Sequence, residues 1–534
     1  MEPDEARYSD IPSLMNRTGD YVTPRLNHVI YLEKPPLAYW VTALFFKLFG
    51  ENEFSSRLFT ALSAWGCIFL VYFMGMAFQD RKTGLYAAAI LSTFLFHFVI
   101  GRINILDMPL TFLVGVAIWS GYKYFAGRCR KRLWLYLLYT ACALAFLTKG
   151  LIGPVFPFAI LMIWLAIEKR WRDIPRIISP VGIAVFILIV SPWIVLVQKA
   201  NSDFLRFFFV QEHFLRYTTT MHGRDNTVFY YIPVIVAGTL PWCAFLPQAF
   251  REGGIRWGEL FERPHISFML TWILFIFLFY SVSSSKLIPY AGPVFLPLAV
   301  IFARVFRLYE GRRACNRDKP VNYAWRIPVI LQSLLFILLL LAPLFLRSIA
   351  FGRDLVIIQS EKWWLLIIFP VLTQIMIVFL PGLIEKKRKG GWFLTVYLLS
   401  AAFFASLIFP AADFLSPYKS AYPVARAARE NVPPGQELYQ YKISLYGMDF
   451  YDKIRTPVVE DFGELGYGIK QLPPAERARF FISVPEFYEK CRNNKEIYCM
   501  TQYRERLAEL KKAVPELEIL WDNGAFFLVR LKCF

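Results

Sequence analysis

The chain has 534 residues, of which 57% are hydrophobic and 18% aromatic, and its mean hydropathy is +0.43. A water-soluble core does not absorb that much apolar surface, so composition excludes an ordinary soluble domain and predicts a polytopic membrane protein. The formal net charge of +19 has a ready source in the Lys and Arg of cytoplasmic loops, and we expect no nucleic-acid partner.

The first 55 residues form a polar segment that precedes the first apolar run. Within it, "KPPLAYWVTALFFKLFG" has apolar residues at helical spacing, interrupted by Lys47. Such a pattern is typical of a helix that lies on the membrane surface. The segment is therefore predicted to place a helix on the outer membrane surface.

Twelve apolar runs follow, each close to the roughly 20 residues that a helix needs to cross the hydrocarbon. They lie near 56–78, 83–100, 108–125, 133–147, 152–167, 177–198, 228–249, 266–282, 288–308, 326–346, 363–383 and 392–410. Alternate connections hold about twice as many Lys and Arg as the others, which marks that set as cytoplasmic. Loop 1–55 and everything after residue 410 are then outside, in the periplasm if the membrane is a bacterial inner membrane.

Residues 411–534 change in character and are predicted to form a small periplasmic α/β domain after a membrane domain of residues 1–410. "SPYKSAYPVARAAREN" predicts an amphipathic helix that leads into this domain. The runs "ARFFISV", "LEILWD" and "AFFLVRL" predict strands. Of the eight cysteines, Cys491 and Cys499 are the pair expected to form any disulfide.

Ionisable residues near membrane depth are expensive, and here they gather on the outer side. Among them, carboxylates that suit the positioning or deprotonation of an acceptor hydroxyl are Asp4 and Glu5 in "PDEARY" and the isolated Asp107 in "LDMPLTF". These three are the candidate catalytic residues. An alternative for Asp107 is the N-cap of a helix that begins with Pro109 in its first turn.

Cations at the same boundary suit the phosphate of a lipid carrier. The predicted donor-phosphate site contains Lys34, Lys149, Arg216, Lys286, Tyr31 and Tyr290. For Lys286 the alternative is snorkelling, in which the amine only reaches the headgroups. Glu33 and His213 are candidate ligands of a divalent metal such as zinc, although their spacing matches no known metal motif.

Seven segments, in order, resemble the bacterial aminoarabinose (lipid A) transferase family, which is related to the protein O-mannosyltransferases. They are the run from "PDEARY" to "KLFG", then "GRINILDMPLTF", "LTKGLIGPVFP", "SPWIVLVQKAN", "EHFLRY", "YYIPVIVAGTLPW" and "SSSKLIPYAGPVFLPLA". The resemblance implies a C-type glycosyltransferase fold, an outward-facing site, an undecaprenyl-phosphate sugar donor and inversion at the anomeric carbon. It also implies that Asp4 and Asp107 are essential acids and that Lys34 contacts the donor phosphate.

The sequence thus predicts a glycosyltransferase that moves a sugar from a polyprenyl phosphate to lipid A, another envelope glycan or a protein hydroxyl. The alternative of another class is a transporter or flippase of lipid-linked sugars, and an O-antigen ligase is a second transferase reading. Family members carry a transmembrane helix before the acidic loop, so we also expect that the chain is truncated or has an internal start.

Overall fold

The computed structural model describes residues 4–127, 130–215, 227–240, 242–246, 264–315, 397, 416–453 and 455–532. Up to residue 315 the described chain is helical apart from one small hairpin. Its α-helices are α1 (Asp4–Thr18), α2 (Leu37–Phe49), α3 (Glu53–Phe78), α4 (Arg81–Ser92), α5 (Leu95–Ile100), α6 (Asp107–Ala126), α7 (Lys131–Lys149), α8 (Ile152–Ile167), α9 (Pro180–Ala200), Tyr231–Gly238, Pro264–Val282 and Phe295–Cys315. Shorter 3-10 turns span Trp171–Ile177, Val228–Tyr230, Trp242–Phe245 and Ile288–Val294, and a π-helix spans Arg206–Leu215.

The segment predicted as the first outer loop, residues 1–55, is a folded layer in its described part. Helix α1 packs against α2 and against the hairpin formed by β1 (Arg25–Leu26) and β2 (Val29–Ile30). Its residues from Ala6 to Met15 are all buried, so α1 lies within the molecule and not on its surface. The predicted surface helix is observed as α2, which buries Ala38, Tyr39, Thr42, Ala43 and Phe46 on one side.

Most of the described helices coincide with predicted spans. Four segments are long and apolar enough to cross a membrane, namely Glu53–Phe78, Trp171–Ala200, His265–Val282 and Ile288–Leu308. Asn52 starts the first of them with a capping box shared with Ser55, which fixes where the outer loop ends and the long helix begins. The predicted spans 326–346 and 363–383, and 392–410 except for residue 397, lie outside the described residues.

Two predicted spans differ from the observed helices. The run 83–100 is broken at Thr93, whose hydroxyl donates to the Ala89 carbonyl and accepts from the Trp242 indole at 2.9 Å. The next residue is extended, and the chain restarts as α5. In the run 228–249 the α-helix ends at Gly238. An apolar run does not reveal such breaks, because its hydrophobicity continues through them.

The C-terminal part forms a six-stranded mixed sheet in the order β5-β4-β3-β6-β8-β7, with β5, β4, β3 and β6 parallel and β8 and β7 antiparallel to their neighbours. The strands are β3 (Leu438–Tyr441), β4 (Val458–Val459), β5 (Phe481–Ile482), β6 (Glu496–Gln502), β7 (Leu517–Asp522) and β8 (Phe526–Lys532). The helices are Tyr422–Asn431, Gly447–Asp452, Gly466–Lys470, Pro474–Phe480, Val484–Asn493 and Arg504–Ala513, with a 3-10 turn at Gly463–Leu465.

The expected Cys491–Cys499 disulfide is wrong. Cys499 is a free thiol, fully buried in the middle of β6, whereas Cys491 is engaged in a disulfide. The side chain of Cys499 faces the apolar core beside Tyr441 and Phe487. Proximity in sequence therefore did not identify the partner.

The segment 446–481 packs into the same core as the first outer loop. Tyr446, Phe450, Leu465 and Ile469 belong to one buried cluster with residues of α1, the hairpin and the apolar helices. Gly468 lies directly on the hairpin, where a Cβ atom would collide with the Ile30 carbonyl oxygen. The C-terminal part thus packs closely against the outer loop.

Candidate functional site

Helix α1 presents Asp4 and Glu5 in its first turn, where negative charge favours the helix dipole. The Asp4 side chain is 58% exposed, and its carboxylate lies 3.5 Å from the Arg7 guanidinium. Asp4 therefore has a carboxylate that remains open to a substrate.

Glu5 is engaged very differently. Its two carboxylate oxygens accept from the Arg57 guanidinium at 2.8 and 3.0 Å, and one also accepts from the Asn104 backbone amide at 2.9 Å. Burial raises the pKa of Glu5, but the bonds and charge of Arg57 and the amide outweigh burial and lower it. Glu5, which was predicted to be catalytic, thus links α1 to α3 and to the loop before α6.

Asp107 and Lys149 form the second part of the site. Asp107 is the first residue of α6 and Lys149 the last of α7, and the Lys149 amine donates to Asp107 at 2.6 Å. The same amine lies 4.5 Å from the ring centroid of Tyr290. The N-cap of α6 is Leu106, without a side-chain cap, so the capping alternative for Asp107 is not what the structure shows.

Lys34 forms the third part, in the loop between β2 and α2. Its amine donates to the Glu33 carbonyl at 3.1 Å and to Glu212 at 3.3 Å, and it lies 3.6 Å from the Glu33 carboxylate. The Lys34 side chain is only 13% exposed. The two carboxylates therefore hold the Lys34 amine in a fixed position.

A residue of the C-terminal part joins these pieces. Glu464 pairs with Arg7 at 2.7 Å and accepts from the Tyr31 hydroxyl at 3.2 Å. The Tyr31 hydroxyl also lies 3.2 Å from Glu33. A continuous polar network thus connects the candidate catalytic residue Asp4 to the candidate phosphate ligand Lys34. It runs through Asp4, Arg7, Glu464, Tyr31, Glu33 and Lys34.

Burial of this network has an electrostatic consequence for its tyrosines. Burial and the negative charge of Glu33 raise the pKa of Tyr31, and burial is also the main cause that raises the pKa of Tyr8. The charges of Asp4, Asp107 and Glu464 all raise the pKa of Tyr8 further. Both tyrosines therefore stay neutral hydrogen-bond donors, and three carboxylates from separate segments act on one ring.

A cavity of about 380 Å³ opens beside Lys34. Its walls combine the outer loop, the π-helix and the C-terminal part. They include Glu33, Phe207, Glu212, Glu464, Tyr467 and Lys470. A cavity lined by both charges and aromatic rings is the usual setting of a small polar substrate.

The structure gives fewer contacts for the remaining predicted residues, Lys286, Arg216 and His213. Lys286 is 5% exposed and donates to the Ser283 carbonyl at 2.6 Å, which disagrees with the snorkelling alternative. Arg216 lies outside the described residues, and of His213 only the backbone is described. In the part of the chain that is described, no group of three His, Cys, Asp or Glu side chains is arranged for a metal.

Sequence reasoning missed three partners that complete the site. Glu464, Glu212 and Asn104 contact predicted residues from segments far along the chain. Glu212 directly precedes the predicted ligand His213 and begins the matching segment "EHFLRY", and these were the signals for it. Glu464 sits in an ordinary polar stretch and carried none.

The chain is similar to several known proteins. Residues 1–208 match the family model described as dolichyl-phosphate-mannose-protein mannosyltransferase. An undecaprenyl phosphate-alpha-4-amino-4-deoxy-L-arabinose arabinosyl transferase of Pectobacterium carotovorum is 33% identical over 305 residues, which is 56% of this chain and 54% of that protein. The protein of the same name from Aeromonas hydrophila is 32% identical over 60% of this chain and 58% of its own length. The match therefore spans just over half the length of these curated relatives.

Two solved structures extend the likeness to the whole fold. The crystal structure of ArnT from Cupriavidus metallidurans in the apo state has a TM-score of 0.80 at 24% identity, covering 99% of this chain and 93% of that one. The same protein bound to undecaprenyl phosphate has a TM-score of 0.76 at 23% identity, with the same coverage. The predicted resemblance and the C-type glycosyltransferase membrane fold are thereby confirmed.

Proposed function

We propose that this chain, which has the C-type glycosyltransferase fold, is an inverting enzyme that transfers a sugar from undecaprenyl phosphate to lipid A at the outer face of a bacterial inner membrane. The observation that carries the proposal is the polar network between Asp4 and Lys34. It brings an open carboxylate and a buried cation into one continuous site. The names of the relatives support an aminoarabinose donor, and the likeness to ArnT bound to undecaprenyl phosphate supports the carrier.

The membrane arrangement belongs to the same proposal. Twelve spans place the outer loop and a C-terminal α/β domain of residues 411–534 in the periplasm, where the donor's sugar and the acceptor meet. The excess of Lys and Arg in the alternate connections supports this orientation. So does the position of Asp107 and Lys149 at the same ends of their helices as the outer loop.

In the proposed mechanism Lys34 and Arg216 hold the donor phosphate. An acceptor oxygen attacks the anomeric carbon as the bond between that carbon and the phosphate oxygen breaks. Undecaprenyl phosphate leaves with the bonding electron pair, and Lys34 stabilises the negative charge that grows on it. Attack from the opposite face inverts the configuration.

The carboxylates act on the acceptor side. Asp4 orients the acceptor and takes its proton when the acceptor is a hydroxyl. When the acceptor is a phosphate of lipid A, no deprotonation is needed and Asp4 orients the acceptor only. Asp107 holds the Lys149 amine in place over Tyr290, so this pair positions the donor.

A metal is not needed for any of these steps. The proposed ligands of a divalent ion are Glu33 and His213, and Glu33 already lies beside the Lys34 amine and the Tyr31 hydroxyl. None of the proposed steps uses a metal. Metal content of the purified protein, measured with and without a chelator, tests this part separately.

Reconstitution tests the central claim. The full chain in phospholipid nanodiscs, given undecaprenyl phosphate-linked 4-amino-4-deoxy-L-arabinose and purified lipid A, is expected to produce lipid A heavier by one aminoarabinose in mass spectra. Lys34→Ala should lower the rate by about 10²–10³-fold, as loss of a charge-stabilising group does. Absence of product from well-folded wild-type protein would overturn the proposal.

A further inference from the structure

A second cleft, larger than the one beside Lys34, lies between the end of the outer loop and the C-terminal part. Its volume is about 930 Å³, near the upper end of the range typical of small-molecule sites. Its walls include Glu53, Tyr422, Arg426, Glu430, Tyr451 and Trp521. None of its lining residues belongs to the network between Asp4 and Lys34.

The charges in this cleft are largely neutralised. Arg426 pairs with Glu430 at 2.9 Å, and Lys453 pairs with Glu51. Glu53 accepts from the Tyr451 hydroxyl at 2.6 Å. These paired side chains leave little unbalanced charge in the cleft, and they offer many hydrogen-bonding groups to uncharged sugar hydroxyls.

Aromatic rings stand among these polar groups. The Tyr422 side chain is 52% exposed and meets Tyr451 edge to face, with 5.2 Å between ring centroids. Trp521 lines the same cleft. An exposed aromatic face beside carboxylate and guanidinium groups fits a sugar ring, whose C–H face is apolar and whose rim is hydroxylated.

One side of the cleft continues onto an apolar surface. Phe49 and Phe54 flank its wall at Asn52 and are 53% and 67% exposed. Beyond them α3 runs for 26 residues as a candidate membrane span, with Trp65 and Phe69 also exposed. A ligand that fits both surfaces has a saccharide head and hydrocarbon chains.

The cleft also connects to the candidate active site. Glu53 and Arg57 are one turn apart on α3, about 6 Å along the helix axis. Arg57 holds Glu5 through two hydrogen bonds, and Glu5 is adjacent to Asp4. A head group in the cleft would therefore have its far end close to the carboxylate that acts on the acceptor.

We infer that this cleft binds the sugar rings of the glycolipid acceptor, while its acyl chains lie along Phe49, Phe54 and the exposed face of α3. The inference rests on the proposed function for the acceptor's role in transfer. It adds the place where the acceptor binds and the residues that select it. The group that receives the sugar extends from the cleft toward Asp4.

Kinetics on the nanodisc-embedded full chain test the inference. Tyr422→Ala is expected to raise the KM for lipid A about tenfold, which corresponds to about 1.4 kcal/mol of lost ring contact. The KM for the donor and kcat at saturating lipid A should stay unchanged. Glu430→Gln should raise the acceptor KM less. Trp171→Ala removes another aromatic side chain, 63% exposed and far along the chain, and serves as the matched control.

A binding measurement separates this inference from the proposed function. A benzophenone amino acid at position 422 is expected to cross-link radiolabelled lipid A in nanodiscs, and one at position 171 should not. If wild-type protein transfers no sugar but position 422 still cross-links lipid A, the proposed function fails and the binding site stands. An unchanged acceptor KM in Tyr422→Ala, or equal cross-linking of nanodisc phospholipid, a peptide or a second copy of the chain, would overturn the inference.

Discussion

Asp4 and Asp107 occupy the two sides of the candidate site and differ in how far each is already neutralised. The Asp4 side chain is 58% exposed and has a distant Arg7 as its ion-pair partner, whereas Asp107 is 14% exposed and bonded to Lys149 at 2.6 Å. A carboxylate in a close ion pair orients its partner, and one that is open can meet a substrate. The difference supports the proposal that Asp4 acts on the acceptor and that Asp107 orients the lysine.

The largest effect is expected at Asp4. Asp4→Asn keeps the shape of the side chain and removes its charge, and it should lower single-turnover transfer by about 10²–10⁴-fold if the acceptor is a hydroxyl. Asp203→Asn, at an exposed position after α9, is the control. Retention of full activity by Asp4→Asn would remove it from the mechanism, and a loss of only a few fold would point to an acceptor that needs no base.

Asp107 and Lys149 should behave as a unit. Asp107→Asn and Lys149→Ala are each expected to slow transfer by about tenfold or more, and the double variant should be little worse than either, because residues that act together are not additive. A donor titration of all three variants provides the measurement. Independent, multiplying losses would show that Asp107 acts directly on a substrate.

Glu464 tests whether the network itself matters. Glu464→Gln keeps the hydrogen bond from Tyr31 and weakens the ion pair with Arg7, so we expect about a tenfold loss in kcat/KM. Glu489→Gln, exposed on the helix Val484–Asn493, is the control. Restoration of activity in Glu464→Asp would agree with a positioning role, and an unaffected Glu464→Gln would contradict it.

The smallest effect concerns stability near Glu5. Because the folded protein lowers the pKa of Glu5 below its ordinary 4.5, the ionised group stabilises the fold above that pH and loses this contribution as pH falls through the folded value. The Tm of the wild type should exceed that of Glu5→Gln at about pH 7, and the difference should shrink over the interval in which the pH falls below about 4.5. A difference that stays constant over this interval would exclude the ion pair with Arg57 as its cause.

Local patterns were sufficient for one part of this molecule. Apolar runs placed α3, α6, α7 and α8 closely, because each helix is defined by its own sequence. Asp107 and Lys149 were both predicted to lie at the ends of spans, but their pairing was not predicted. The resemblance singled out Asp4 and Lys34 as candidates.

Contacts between distant segments were not accessible in this way. Glu464 reaches Tyr31 across 433 positions, and nothing in its own neighbourhood marks it. The break at Thr93 depends on an indole from Trp242, and the free state of Cys499 depends on the position of β6 in the sheet. In each case the deciding atom belongs to a part of the chain that pattern reading treats separately.

The position of Glu464 between Arg7 and Tyr31 has a consequence for biosynthesis. When the helices and the predicted spans have been synthesised, the ribosome has not yet made Glu464, the residue that joins Asp4 to Lys34. The nascent chain is therefore expected to remain inert while it threads into the membrane, and to gain activity only when its last hundred or so residues have crossed and folded. Synthesis itself would then keep an unfinished enzyme from consuming the lipid carrier.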